Sequence, residues 1–163
     1  MAYLRALRVA VREETVLPAE TEALNVELWA ARIPWVGPIA DHHWFVIRRG
    51  SQSTDRWEVW QSSGAGGESW GHLYRNLKPP TAGVGSGPGR LLTHWSGEDA
   101  RLLAERIEAA PRAYPCCGRY RLWPGPNSNT FVQWVLESRY LLGRRGIGSQ
   151  YCRRLIATRP TAP

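Results

Sequence analysis

The sequence predicts an α+β domain, with an antiparallel sheet of about five strands packed on two main helices. Three observations predict it. Short aromatic and β-branched runs are separated by Gly, Ser and Pro clusters, as the strands of an antiparallel meander are. Two later segments repeat apolar residues at helical spacing. The length, 163 residues, suits a single domain with a core of its own.

In chain order, Tyr3 to Arg12 is apolar without helical caps and reads as a strand. Asn25 to Ile33 is a second strand, closed by Pro34 and the turn at Gly37-Pro38. Three stronger strands follow: His42 to Arg48, Arg56 to Gln61, and Trp70 to Leu77. Lys78 to Arg90 is rich in Gly and Pro and reads as a flexible loop or lid. Its Gly-Val-Gly-Ser-Gly-Pro-Gly run is no dinucleotide fingerprint, because the sixth motif position is Pro88 and no capped helix follows at once. Ser96 is placed to cap a helix with Glu98 and Asp99 in its first turn. Ala100, Leu103, Ile107 and Ala110 form its apolar stripe, and Pro111 is expected to stop it. Arg119 to Trp123 reads as a short strand, and Ser128 to Leu142 as the second helix.

Composition narrows the function. With 43% hydrophobic and 21% charged residues, the chain is globular and not disordered. The net charge of +7 raises nucleic acid or anionic lipid as partners, but 20 of the 21 basic residues are Arg and they are scattered. That pattern disfavours a nucleic-acid interface. Met1 to Val11 does not read as a signal peptide, and no run approaches the roughly 18 apolar residues of a membrane span. Cys116, Cys117 and Cys152 form neither a disulfide framework nor a Cys-x-x-Cys metal site, so a cytoplasmic protein without metal or cofactor is expected.

The chemistry concentrates in Pro124-Gly125-Pro126-Asn127-Ser128-Asn129-Thr130-Phe131. A small polar residue opening an apolar helix stands where backbone N–H groups lack partners and the dipole end is positive. Ser128 is therefore a candidate nucleophile, with N–H groups near Ser128 and Asn129 as oxyanion donors. Its base is expected on an earlier strand, at His42 or His43, and strand alternation lets only one of them face it. Simple helix capping by Asn127, Ser128 or Asn129 is the competing explanation.

The order His42-His43-Trp44, then the Pro124 to Phe131 string, resembles an uncharacterised bacterial domain family with H-x-W and P-G-P-N-S-N-T-F signatures. The likeness runs from about Asp41 to Tyr151. The string is also similar to the Asn-Cys-Asn-x-Phe segment of circularly permuted papain-like enzymes, the desumoylating isopeptidases and the lecithin–retinol acyltransferase group. That resemblance implies a permuted papain-like core over 41–151, with 1–40 an N-terminal extension and 152–163 a basic tail. It implies His42 as the base and Ser128 in the nucleophile's place, where those enzymes carry Cys. A working serine or a site that binds without catalysis both remain open.

Glu58 is the expected third group, orienting His42, unless it is a solvent-facing strand residue. His72 resembles the second His of some acyltransferase relatives, or is an ordinary strand histidine. His94 reads as structural. Asn127, Asn129, Trp44, Trp60 and Trp123 are the expected binding residues, although the Trp57, Trp60 and Trp70 group reads first as core and only second as a pocket lining. The expected activity is amide or ester hydrolysis or acyl transfer on a small-molecule, peptide or acyl substrate. A binding module using the same cleft is the alternative from another class. Oligomeric state and a named substrate are not readable.

Overall fold

A computed structural model describes residues 23–36, 38–85 and 87–153. The strand expected at 3–12 and most of the basic tail lie outside them. The sheet has six strands, not about five: β1 (Leu24–Arg32), β2 (Asp41–Arg49), β3 (Ser53–Val59), β4 (Glu68–Trp70), β5 (Leu73–Arg75) and β6 (Arg90–Ser96). They lie in the order β4-β5-β3-β2-β1-β6, and every neighbouring pair is antiparallel. β1 belongs to the segment expected as an extension, 1–40, yet it runs inside the sheet between β2 and β6.

β2 is one of the two central strands and is buried on both faces. Phe45 and Ile47 point into the main core with Val26, Leu28 and Trp57. Trp44 and Val46 point the other way, onto Ala31. This alternation decides the site, because His43 shares the face of Phe45 and His42 shares that of Trp44.

α1 (Gly97–Ala113) and α2 (Ser128–Leu136) cover the Phe45 face. α1 buries Ala100, Leu103, Ala104, Ile107 and Ala110, one stripe at helical spacing. Ser96 holds the N-cap position in extended backbone but makes no side-chain cap bond. Pro111 does not stop α1, since a proline in the last turn removes only its own N–H from the ladder, and Tyr114 still closes on the Ala110 carbonyl. α2 is buried along its whole length and ends six residues before Leu142. There Gln133 donates to the carbonyls of Glu137 and Tyr140 and accepts from the Leu142 N–H, which turns the chain back.

The Trp44 face is covered by the 78–90 segment, which is anchored and not a free lid. Trp44 Nε1 donates to the Pro80 carbonyl at 2.8 Å, and Val84 packs against the Trp44 cluster. Gly89 permits this approach, since a Cβ there would stand 2.8 Å from the Trp44 ring. β6 follows this segment at once and pairs with β1 through a register shift at Leu28/Trp29. The expected strand at Arg119 to Trp123 is irregular chain, and the one at Trp70 to Leu77 is divided between β4 and β5.

Candidate functional site

Most of the Pro124 to Phe131 string is accounted for by the start of α2. Asn127 is the N-cap, and its Oδ1 accepts from the N–H groups of Asn129 (2.9 Å) and Thr130 (3.1 Å). Thr130 Oγ1 completes the box by accepting from Asn127 N–H and donates to the Gly148 carbonyl at 2.7 Å. Asn127 Nδ2 donates to the carbonyls of Leu122 and Ile147. Gly148 is needed here, because a Cβ would collide with the Asn127 amide. The string thus knits three chain segments together. Asn129 N–H, expected as an oxyanion donor, is already occupied by the cap.

Asn129 joins this helix start to β2. Its Nδ2 donates to the carbonyls of Asp41 (3.0 Å) and Ile147 (2.9 Å), which fixes Oδ1 as the atom facing His43. His43 Nδ1 is 2.7 Å from that oxygen and therefore carries the proton. Burial pulls the His43 pKa down to about 4, against the partial support of the Asn129 bond, so the ring is neutral at pH 7. Ser128 is 4% exposed, and its Oγ lies 3.5 Å from the same Asn129 Oδ1. Ser128 and His43 meet at one acceptor.

His42 is on the opposite face. Its Nε2 is 2.8 Å from Glu58 Oε2, and Arg56 Nη2 donates to that same oxygen at 2.7 Å. Glu58 and Arg56 are fully buried. Burial pushes the Glu58 carboxyl up, but the His42 hydrogen bond and the His42 and Arg56 charges outweigh it, and the net shift is downward. The carboxylate can only accept, so His42 Nε2 carries a proton and Nδ1 is the ring atom left for another partner.

Arg56 organises more than Glu58. Its guanidinium lies 4.0 Å over the Trp44 ring and donates to the carbonyls of Pro79 (3.0 Å) and Ala82 (2.6 Å). One side chain therefore holds both the carboxylate and the segment that covers it. The His42 ring packs edge-on against Trp60 at 5.4 Å. It opens into a cleft of about 500 Å³ whose wall is mostly apolar, with Ile33, Val36, Trp60, Val84 and Tyr120, and carries one amide, Gln61. Hollows of about 550 Å³ beside Trp123 and Tyr151, and about 570 Å³ beside Trp57 and Trp70, contain no histidine.

The expected constellation of Ser128, His42 and Glu58 is therefore divided by the sheet. Glu58 does meet His42. Ser128 stands with His43, whose contact to the α2 start replaces the expected one from His42. His72 Nδ1 donates to the Trp60 carbonyl at 2.9 Å and packs beside Tyr120, so it props the cleft wall and joins neither histidine. Trp44 is buried, Trp60 lines the cleft, and Trp123 is 71% exposed and lines the hollow beside Tyr151 instead. Cys116, Cys117 and Cys152 are free thiols, and burial raises those of Cys117 and Cys152. Among the described residues, no group of three or more His, Cys, Asp or Glu is placed to hold a metal ion.

Residues 23–151 match the family described as protein of unknown function DUF3750. The chain belongs to this family. No curated protein and no solved structure matches it. The span shared with DUF3750 contains both histidines, Glu58 and the whole Pro124 to Phe131 string. No helix among the described residues is long and apolar enough to cross a membrane. Arg56, Trp35 and Val84 are site residues that sequence reasoning missed. Arg56 had a signal, standing two residues before Glu58 on the same strand and so on the same face.

Proposed function

We propose that this DUF3750 chain is an amide or ester hydrolase, or an acyl-transfer enzyme, whose acid–base group is His42. The observation that carries the reading is His42 held by the buried Glu58–Arg56 pair at the floor of an apolar cleft. A carboxylate-oriented imidazole beside a pocket is a recurrent acid–base arrangement. His42 Nδ1 takes the proton from an attacking water or acceptor hydroxyl as its oxygen bonds to the carbonyl carbon. Glu58 stabilises the imidazolium, which returns the proton to the leaving nitrogen or oxygen as that bond breaks. Glu58 keeps its charge because the His42 hydrogen bond and the Arg56 guanidinium together hold it.

A second reading is favoured by the meeting of Ser128 and His43 at Asn129. There Ser128 is the nucleophile of a papain-like arrangement with serine for cysteine. The neutral, weakly basic His43 makes it the less supported of the two. A basic nucleic-acid or anionic-membrane surface is supported less again. Arg48, Arg49, Arg75, Arg90, Arg101 and Arg106 each pair with a carboxylate.

Turnover of a panel of p-nitrophenyl esters and arylamides separates these readings. With His42 as base, His42→Ala lowers kcat/KM by about 10²–10⁴-fold and Ser128→Ala changes it little. If Ser128→Ala instead removes both turnover and fluorophosphonate labelling, the second reading replaces the first. A folded wild type that turns over nothing, yet binds cleft ligands saturably, is a binding module.

A further inference from the structure

Resting on the His42 reading, we infer that the cleft takes the uncharged, apolar part of the substrate, an alkyl or aromatic group directly beside the reacting carbonyl. The lining supplies the grounds. Apart from His42, its described residues include no Asp, Glu, Lys or Arg that could pair with a charge. Its walls are aliphatic at Ile33, Val36 and Val84 and aromatic at Trp60 and Tyr120. A charged group entering there would lose its hydration against only the uncharged Gln61 amide and His42.

The volume of about 500 Å³ lies within the 300–1,000 Å³ usual for small-molecule pockets. The wall is also preformed. Val84 sits on the segment that Arg56 and Trp44 tie down through the carbonyls of Pro79, Pro80 and Ala82. Trp35 stands fully exposed at the mouth, where an apolar group would be met first. The one ring nitrogen of His42 not engaged with Glu58 marks the polar end. The apolar group therefore lies along Trp60 and Val84, with the carbonyl at His42.

Binding can be read without turnover, which separates this inference from the hydrolase reading. The neutral fluorophore N-phenyl-1-naphthylamine is titrated into the full chain and displaced by straight-chain primary amides from butanamide to octanamide. Each added methylene should tighten displacement about fourfold, from roughly 0.8 kcal/mol per buried CH₂. Val84→Asp and Val36→Asp should each weaken the fluorophore at least about tenfold, whereas Leu102→Asp, on α1, should not. Retained binding in His42→Ala places the apolar group independently of catalysis. Cleft binding by a wild type that hydrolyses nothing would support the apolar cleft while ending the hydrolase reading and, with it, the placement of a reacting carbonyl. Displacement independent of chain length, full-strength binding in both Asp variants, no saturable binding, or equal turnover of charged and apolar acyl esters would overturn it.

Discussion

His42 and His43 are neighbours on one strand, yet the two faces of the sheet give them different chemistry. His43 meets an amide oxygen fixed by two backbone carbonyls, and burial leaves it neutral. His42 meets a carboxylate that its own hydrogen bond and a buried guanidinium together keep ionised. The partner decides what a buried imidazole does. An amide carbonyl locks a tautomer and holds the fold, whereas a carboxylate stabilises the imidazolium that acid–base work requires.

The comparison is tested most severely at Glu58. Glu58→Ala leaves the Arg56 guanidinium buried and unpaired, and should destabilise the fold by about 3–5 kcal/mol in urea unfolding. Loss of only a few tenths would mean that the Pro79 and Ala82 carbonyls suffice for Arg56. Next in size is the acid response of His43. Its pKa is about 4 folded and near 6.5 unfolded, so the unfolded chain binds more protons between these values. Stability is therefore full above pH 6.5 and falls as pH drops toward 4, by on the order of 3 kcal/mol. His43→Gln should flatten urea midpoints measured across that window.

Asn127→Ala tests whether the α2 start is structural. It removes the cap and leaves the Leu122 carbonyl without its side-chain donor, while Ile147 keeps the one from Asn129, and should cost about 2 kcal/mol in thermal unfolding. Asn129→Asp converts one node toward the other by giving His43 a carboxylate. NMR titration of the ring should show its pKa move upward, and an unmoved value would break the comparison. The smallest effect is expected at Ser128→Ala, whose 3.5 Å contact is too long to contribute much.

Much of the fold was legible. β1, β2 and β3 carry β-branched and aromatic residues that no other element accommodates as well, and α1 shows its apolar stripe directly. β6 was hidden because Leu91 and Leu92 break the alternation and a Gly-Pro segment precedes it. The end of α2 was hidden because Gln133, a residue with no special helix-ending propensity, bonds chain that has yet to fold back.

The sequence by itself determined that a polar helix start follows a histidine strand, and that only one of two adjacent histidines can face that helix. Alternation guarantees the second point without saying which. Only the tertiary structure decided that His43 takes the helix face and His42 the cleft, because that choice depends on which face of β2 the helices cover. The same packing buried Arg56 beside Glu58, and so placed the candidate acid–base group across the sheet from Ser128.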